Sequence, residues 1–372
     1  MCQIHLRVEL TPLNSYQAGF LTAELESLTT IGETRDMMKQ YTLNEFGIDQ
    51  LTRDEAPVPE PGPGEVRVAM KALSLNYKDL MIVEGSYNPR LKFPHVPITD
   101  GAGEISALGD GVTSVTMKQP VIINPMLDWL SGPFRFEYHK RVVGYSVPGL
   151  ASEEVIVPEQ AVIPIPEGFE LTDAATLPTA GLTAWNCLVE HGGVEEGQTL
   201  LTLGTGGVSI FALQLAKIIG ATVIITSSSD EKLKRARELG ADHGINYREN
   251  TSWYKTVMEL TNGEGADLTL ETSGAQSFEQ STRATKANGT VAFLGSIEGL
   301  KSEIDLRFVM MKRLTVHGIF VGSRNDIADF GNFLSTHPLK PVIDRTFPFE
   351  ELPDAMTHMK SGGHMGKVVV TV

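Results

Sequence analysis

The fold is decided by the stretch Thr199-Leu200-Leu201-Thr202-Leu203-Gly204-Thr205-Gly206-Gly207-Val208-Ser209, which runs directly into the apolar residues 210–219. This pattern is typical of a strand, a tight glycine turn and a helix N-terminus. Because unpaired amides at a helix N-terminus point toward an anion, such a turn can hold a pyrophosphate. Ser209 stands where a third glycine is usual, so its hydroxyl either tightens or crowds the phosphate site. The residues predicted to bind a dinucleotide here are Gly204, Thr205, Gly206, Gly207 and Val208.

The segments after the glycine loop repeat the alternation of strand, turn and helix. A β-branched strand at 223–226 precedes a helix predicted at 230–239, with Ser229 or Asp230 as its N-cap and Gly240 beyond its end. A strand at 267–270, a helix near 276–286 and a strand at 291–294 follow. Parallel strands joined by helices form a doubly wound sheet, whose ligand lies at the carboxyl ends of the strands.

The rest of the chain has a different pattern. From Tyr41 to about Ile165, short apolar segments are interrupted by glycine and proline, which indicates a β-rich domain. A strand at 367–372 is expected to return to that domain. The predicted fold is therefore α/β, with a β-rich domain at 37–165 and 325–372, a doubly wound domain at 166–324, and an N-terminal extension at 1–36.

Composition excludes several classes of protein. The chain has 372 residues, of which 41% are hydrophobic and 21% charged, as in ordinary two-domain globular enzymes. A net charge of −15 argues against a nucleic-acid surface. Two cysteines are too few for a disulfide framework, which favours a reducing, cytoplasmic location. Residues 1–36 are too acidic for a transit peptide, and no apolar run reaches the roughly 18 residues of a membrane span.

Six motifs, in the right order and spacing, resemble the medium-chain dehydrogenase/reductase superfamily, and within it the zinc-independent quinone oxidoreductase-like and enoyl reductase-like branches. The resemblance extends from Met38 to Val372 and implies a GroES-like domain with a Rossmann domain, hydride transfer with a nicotinamide cofactor, and a homodimer or tetramer, of which we expect the homodimer. The motifs are Pro59-Glu60-Pro61-Gly62-Pro63-Gly64-Glu65-Val66, Leu75-Asn76-Tyr77-Lys78-Asp79, Asp100-Gly101-Ala102-Gly103-Glu104-Ile105, residues 174–185, the glycine loop, and Glu238-Leu239-Gly240-Ala241-Asp242.

The resemblance also bears on a catalytic metal. Zinc alcohol dehydrogenases of this superfamily hold zinc with two cysteines and a histidine, because thiolate and imidazole form a stable tetrahedral site with one open position. The corresponding positions here are Asn76, Thr99 and Thr179, none of which is a competent zinc ligand. The four-cysteine structural lobe is missing as well. We therefore expect no zinc.

The end of the second Rossmann strand indicates which dinucleotide binds. An acidic residue there accepts hydrogen bonds from the ribose of NAD and would repel a 2′-phosphate. This chain instead has Ser227, Ser228 and Ser229, followed by Lys232. Tyr247 resembles a tyrosine that quinone oxidoreductases place beside the 2′-phosphate. NADP(H) is the expected cofactor, although turn-forming serines, a solvated lysine and a packed tyrosine would give the same sequence.

The candidate catalytic residues come from the resemblance. Asn76, Tyr77 and Asp79 are expected nearest the nicotinamide. Asp79 has a competing structural interpretation, in which it holds its loop through backbone hydrogen bonds, and Lys78 is expected to point to solvent. Tyr87 matches a tyrosine that donates a proton to the α-carbon in enoyl reductases, and a phenol with a pKa of about 10 is protonated at neutral pH.

Further cofactor contacts are predicted at strand ends and beside the sheet. Thr272, Gly295 and Val321 fall where backbone groups line the nicotinamide and ribose, although each glycine in this region could serve only its turn. Thr183 precedes the Rossmann sheet, and Lys367 is a candidate to reach the phosphates. The aromatic loop at 125–149, with His139, is either a pocket wall or an oligomer contact, and His139 is not assigned to the site.

Together these observations predict an NADPH-dependent, metal-independent oxidoreductase. Hydride addition to a conjugated C=C bond or a quinone spreads charge onto an oxygen that amides or hydroxyls can stabilise, so it needs no Lewis acid. Two alternatives stay open: a zinc-free alcohol or carbonyl oxidoreductase, and a non-catalytic NADPH-binding interaction protein. The expected partners are a small electrophilic substrate and a second copy of the chain, with neither nucleic acid nor a membrane.

Overall fold

The computed structural model describes residues 36–295, 297 and 299–372, so the predicted extension lies, apart from Asp36, outside the described residues. The strands are β1 (Met37–Leu43), β2 (Leu51–Pro57), β3 (Glu65–Leu75), β4 (Asp100–Leu108), β5 (Pro120–Ile123), β6 (Glu154–Pro158), β7 (Val162–Pro164), β8 (Thr199–Thr202), β9 (Thr222–Ser227), β10 (His243–Asn246), β11 (Ala266–Glu271), β12 (Thr285–Phe293), β13 (Thr315–Gly318), β14 (Ile343–Pro348) and β15 (Lys367–Thr371). The α-helices are α1 (Tyr77–Val83), α2 (Leu171–Ala174), α3 (Leu182–Trp185), α4 (Gly207–Ile219), α5 (Asp230–Glu238), α6 (Trp253–Leu260), α7 (Phe278–Ala284), α8 (Arg307–Met311), α9 (Arg324–Thr336) and α10 (Leu352–Lys360).

The glycine loop belongs to a six-stranded parallel sheet with the order β10-β9-β8-β11-β12-β13. Its central strands are buried and rich in branched apolar residues, as expected when helices cover both faces of a sheet. The strand order reverses between β8 and β11, and a ligand crevice opens at the carboxyl ends of strands at such a point. The predicted doubly wound sheet is confirmed.

A second sheet has seven strands, in the order β14-β15-β3-β4-β5-β7, with β6 paired to β3. The long strand β3 is its centre, and alternate residues of that strand are buried. The C-terminal strand β15 runs antiparallel to β3, with Val370 opposite Leu73. The end of the chain thus returns to the β-rich domain and brings Lys367 next to Leu75.

Helix α5 begins where the sequence predicts, whereas α7 ends earlier than predicted. Helix α5 begins as predicted, because the Ser229 side chain accepts a hydrogen bond from the Lys232 amide. Helix α7 ends at Ala284, earlier than predicted, because Thr285 joins a strand and shares a 2.8 Å hydroxyl contact with Thr269. β-Branched residues favour strands over helices, which explains the early end.

Helix α9 begins at Arg324, next to the predicted domain boundary. Its buried residues Ile327, Phe330 and Leu334 belong to the apolar core that also contains Leu200 of the doubly wound sheet. The Phe330 ring lies 5.5 Å from the ring of Trp185. This helix therefore packs with the nucleotide side of the molecule.

Within the described part of the chain, no helix combines the length and apolar character required to cross a bilayer.

Candidate functional site

The glycine loop has the geometry of an anion cradle. Strand β8 ends at Thr202, and Gly204 takes a φ of 72°, a conformation that glycine adopts without strain. Helix α4 begins at Gly207, so its free amides face the space beyond the strand. Among the described residues, no atom beyond the adjacent residues lies within 4 Å of the position that a Cβ would take at Gly204 or Gly206. The loop is thus open on the side where a pyrophosphate would bind.

Ser209 neither tightens nor crowds that phosphate position. The side chain is buried, and its Oγ donates a 2.6 Å hydrogen bond to the Leu203 carbonyl at the end of the strand. The hydroxyl therefore fastens the helix to the strand end below the loop. Both predicted effects of Ser209 on the phosphate are wrong for this reason.

The C-terminal strand supports the glycine loop from below. The Gly366 amide donates to the Thr205 carbonyl at 3.0 Å. A Cβ on Gly207 would lie 2.6 Å from Cδ of Lys367, so Gly207 permits the close approach of that lysine stem. Val208 is half-buried in the first turn of α4. The loop is consequently held by both domains.

The predicted 2′-phosphate residues meet at one edge of the sheet. Ser227 is buried at the end of β9, and its Oγ accepts the Ser229 amide at 3.3 Å. Ser228 is half-buried beside it. Lys232 directs its Nζ to the Gly362 carbonyl at 2.6 Å, and burial lowers the pKa of this lysine. A cation and hydroxyls stand where NAD-binding proteins carry a carboxylate.

A cavity of about 200 Å³ opens beside this edge. Tyr247, Thr226 and Trp253 contribute to its wall, together with Leu203 at the end of β8 and Ser273 beyond β11. The cavity lies at the carboxyl ends of the strands, next to the switch point. Its position and partly apolar wall suit the adenosine half of a dinucleotide.

Residues predicted around the nicotinamide are held by internal hydrogen bonds. Thr272 Oγ1 donates to the Leu203 carbonyl at 2.5 Å. A Cβ on Gly295 would lie 1.9 Å from the Thr272 carbonyl oxygen, so glycine is required there by packing. Val321 has a φ of 47°, and its carbonyl accepts a 2.7 Å hydrogen bond from Asn186. The strand ends are therefore rigid, and a contact with the cofactor stays a prediction for each of these residues.

Asn76 lies at the centre of a buried polar network. Its Nδ2 donates to Asp100 Oδ2 at 2.9 Å, and its Oδ1 accepts from Lys367 Nζ at 2.6 Å. Lys367 Nζ also donates to the Leu75 carbonyl at 2.6 Å. Thr179 donates to Asp100 through both its amide, at 3.0 Å, and its hydroxyl, at 2.7 Å. Burial raises the pKa of Asp100 and lowers the pKa of Lys367, and each charge opposes the shift of the other.

Asp79 anchors the same region. Its carboxylate accepts from the Asn76 amide at 2.8 Å and from the Thr99 hydroxyl at 2.6 Å. The Thr99 amide donates to it as well, at 3.1 Å. The side chain is fully buried. These contacts give Asp79 the loop-holding geometry of the structural interpretation, and its catalytic role stays a prediction.

These contacts test whether zinc fits the pocket. Asn76, Thr99 and Thr179 engage their polar atoms with carboxylates, and the Lys367 ammonium group occupies the neighbouring space. An ammonium group repels a divalent cation, and none of the three side chains supplies thiolate or imidazole. In residues 36–295, 297 and 299–372, no cluster of three His, Cys, Asp or Glu side chains could hold a metal ion. The donor set does not fit zinc.

The predicted catalytic tyrosines lie on α1 and just after it. Tyr77 is exposed, whereas Lys78 is half-buried rather than fully solvated, and burial lowers the pKa of its amine. The Tyr87 ring meets that of Tyr145 edge-on at 5.3 Å, and burial raises the pKa of the Tyr87 phenol. The expectation that Lys78 points to solvent is therefore wrong, because its side chain is half-buried in the first turn of α1. Thr183 is buried in the short helix α3.

The aromatic side chains of the loop at 125–149 pack against one another, and both interpretations of the loop, as a pocket wall or an oligomer contact, stay open. Trp129 stacks on Tyr138 at 6.0 Å, and Phe134 lies edge-on to Trp129 at 5.2 Å. His139 lies 4.8 Å from the ring of Phe320. Since Val321 packs against the same cluster, the loop joins the β-rich domain to the rim of the nucleotide sheet.

Two residues of the site escaped sequence reasoning. Asp100 begins a glycine-rich buried strand, and a charge within such an apolar segment is the signal that could have revealed it. The Asn186 side chain donates a hydrogen bond to the Val321 carbonyl, although the two residues are 135 positions apart. No local sequence signal indicates such a pair.

Family models, related sequences and solved structures all match this chain to dehydrogenases and reductases. Residues 62–167 match the alcohol dehydrogenase GroES-like domain, and residues 207–336 match the zinc-binding dehydrogenase family. The chain is 38% identical over 335 residues to a zinc-type alcohol dehydrogenase-like protein of Schizosaccharomyces pombe, covering 88% of this chain and 96% of that protein. It is 33% identical over 255 residues to prostaglandin reductase-3 of Mus musculus, covering 68% of this chain and 61% of that protein. A solved NAD-dependent alcohol dehydrogenase matches with 34% identity and a TM-score of 0.83, over 90% of this chain and all 100% of that one.

Proposed function

The chain belongs to the medium-chain dehydrogenase/reductase superfamily and is an oxidoreductase of that type, and we propose that it uses NADPH without a metal to reduce an activated C=C bond or a quinone. The observation that carries this proposal is the buried network of Asn76, Asp100 and Lys367. Zinc ligands would stand at that place in a zinc dehydrogenase, and amide, hydroxyl and ammonium groups stand there instead.

The cofactor supplies hydride when bound, and the chain supplies its position. Residues 204–208 and the N-terminus of α4 hold the pyrophosphate, while Ser227, Ser228 and Lys232 face the 2′-phosphate. Asn76 is fixed by Asp100 and Lys367 at the nicotinamide end. This rigid placement orients the reacting carbon toward the substrate pocket.

The substrate pocket provides for the proton and for the developing negative charge. The pKa of Tyr87 is raised, so its phenol stays protonated at neutral pH and can donate a proton to the α-carbon. The half-buried Lys78 provides positive charge beside the pocket, which stabilises an enolate or hydroquinone oxygen. An isolated aldehyde, which lacks conjugation, would need a stronger electrophile than these groups offer.

The choice of NADPH rests on the residues at and just after the end of β9. Three serines stand where an NAD-binding protein would have a carboxylate, and Lys232 follows them in α5. Since one similar solved protein is an NAD-dependent alcohol dehydrogenase, dissociation constants for NADPH and NADH test this choice directly. We also place the protein in the cytoplasm, since Cys187 is a free buried thiol.

A spectrophotometric panel tests the activity. The purified protein, treated with a chelator and with its zinc content determined, is mixed with NADPH and an enone, a quinone or a simple aldehyde. We expect turnover of the enone or the quinone at a rate at least about 100-fold above that of the aldehyde, a difference of ~2.7 kcal/mol.

Other outcomes of the panel identify the alternatives. Turnover of the aldehyde alone would establish a zinc-free carbonyl oxidoreductase. NADPH binding with no turnover across the panel would establish a non-catalytic binding protein. Stoichiometric zinc that is essential for activity would overturn metal independence.

The same proposal includes a homodimer formed through the outer strand β13. This strand is an edge of the parallel sheet, and its backbone can pair with another chain. Exposed apolar side chains accompany it, including Val316 (42% exposed), Met310 (73%) and Met311 (73%). In a symmetric dimer, a second copy of this chain would pair with the β13 edge and cover these exposed apolar side chains.

We expect light scattering after size exclusion to give the mass of a dimer for the wild type and of a monomer for the double variant Met310→Asp/Met311→Asp. Two carboxylates in an apolar interface carry a large desolvation cost. Met117→Asp, at an exposed methionine of the β-rich domain, is the matched control and should remain dimeric. A monomeric wild type would refute the homodimer, and a dimeric double variant would refute this interface.

A further inference from the structure

The segment Ser361-Gly362-Gly363-His364-Met365-Gly366, here called the glycine-histidine segment, connects the two phosphate-binding regions of the groove. Its Gly362 carbonyl accepts Lys232 Nζ at 2.6 Å, and its Gly366 amide donates to the Thr205 carbonyl at 3.0 Å. Lys232 follows the serine turn at the end of β9, and Thr205 lies in the glycine loop. His364 therefore stands between the expected positions of the 2′-phosphate and the pyrophosphate.

The His364 ring has unused hydrogen-bonding capacity. Its Nδ1 is buried and has no hydrogen-bond partner among the described residues. No described residue pairs with its Nε2 either, and this atom is not among the buried unpaired ones, so it is open to solvent. An N–H group buried without a partner is costly, so the neutral ring keeps its proton on the open Nε2. The open nitrogen is thus a hydrogen-bond donor.

The charges around His364 form a local site for an anion. Burial lowers the pKa of His364, and the nearby Lys232, His358 and Lys367 lower it further. Asp344 is the opposing carboxylate, and its oxygens already accept from His358 at 2.9 Å and from the Met365 amide at 3.0 Å. Arg235 lies 3.7 Å from the same carboxylate. A chain with a net charge of −15 therefore concentrates positive charge at this point.

We propose that His364 donates a hydrogen bond from Nε2 to the 2′-phosphate of NADPH, and that the glycine-histidine segment closes over this phosphate together with Lys232. The inference deepens the proposed function and rests on its choice of cofactor. Burial with Lys232 and Lys367 lowers the pKa of His364 to about 4, so the ring acts as a neutral donor at pH 7. Its contribution comes from hydrogen bonding, while Lys232 contributes the charge.

Binding measurements with two isosteric variants test the proposal. Glutamine reaches the position of Nε2 with an amide donor, whereas asparagine reaches only that of Nδ1. We expect His364→Asn to weaken NADPH and 2′,5′-ADP binding about 10- to 100-fold, the range for a hydrogen bond to a charged group. We expect His364→Gln to stay within about threefold of the wild type. NADH and 5′-AMP, which lack the 2′-phosphate, should bind both variants as they bind the wild type.

Calorimetric titrations at pH 7 give these dissociation constants without turnover. His337→Asn, at an exposed histidine after α9, is the matched control and should change no affinity. Equal losses for NADPH and NADH with unchanged 2′,5′-ADP binding would place His364 at the pyrophosphate and overturn the proposal. Unchanged NADPH binding in His364→Asn would overturn it as well. A wild type that prefers NADH would refute the choice of cofactor itself, independently of the variants.

Discussion

Replacement of Lys367 by methionine is expected to lower the free energy of unfolding by about 3–5 kcal/mol, the usual cost of leaving a buried charge, here that of Asp100, without its compensating charge. Lys367 Nζ contacts both the Asn76 amide oxygen and the Leu75 carbonyl at 2.6 Å. Methionine matches the length of the lysine stem but leaves these acceptors unpaired. It also removes the cation that offsets the burial of Asp100. Urea denaturation followed by circular dichroism measures the change.

A second substitution separates the charge effect from lost packing. In Lys367→Met/Asp100→Asn, the uncompensated carboxylate is gone, so the double variant should recover part of the lost stability. Lys360→Met, which removes a surface partner of Glu84, is the matched control and should leave the stability nearly unchanged. Stability of Lys367→Met within about 0.5 kcal/mol of the wild type would show that Lys367 does not hold this region together.

The same network explains how two domains share one site. Asn76 and Asp100 belong to the β-rich domain, and Thr179 leads into the nucleotide side. Lys367 begins β15, which pairs with β3 in the β-rich sheet. The stem of this lysine lies directly against Gly207 of the glycine loop. A shift of the C-terminal strand would therefore move both the glycine loop and Asn76. The network couples the phosphate end of the groove to the reacting end.

Sequence reasoning succeeded where a local rule decides the structure. The glycine loop, the Ser229 cap of α5 and the parallel, doubly wound sheet around β8 follow from turn chemistry, capping and hydrophobic pattern. The change of pattern near the end of the chain predicted the return of the C-terminal strand to the β-rich domain. The family resemblance identified the three positions where zinc ligands are missing.

It failed where tertiary packing decides the direction of a polar side chain. Ser209 was free to face the phosphate or the strand, and packing of α4 turned it to Leu203. Lys78 is polar and lies at a helix start, yet its side chain is half-buried. Lys367 meets Asn76 across 291 positions of sequence, because β15 pairs with β3. No periodicity or spacing encodes such contacts, because they arise only when the helices and strands pack together.

The second large effect is expected at the cofactor. Ser227→Asp should shift the ratio of NADPH to NADH affinity toward NADH by about 100-fold, because a carboxylate repels the 2′-phosphate and accepts hydrogen bonds from a free ribose. The Ser227 side chain lies at the end of β9 and already accepts the Ser229 amide, a bond that aspartate can keep. Dissociation constants for both cofactors, from quenching of protein fluorescence, give the ratio.

The control for this change is Ser227→Asn, which has the shape of aspartate without its charge. If electrostatic repulsion decides the cofactor, asparagine should leave the affinity ratio within about threefold of the wild type while aspartate inverts it. Equal shifts in both variants would mean that size at this buried position matters and that charge does not. An unchanged ratio in Ser227→Asp would remove the end of β9 from the phosphate site, and Lys232 with His364 would then have to account for any preference for NADPH.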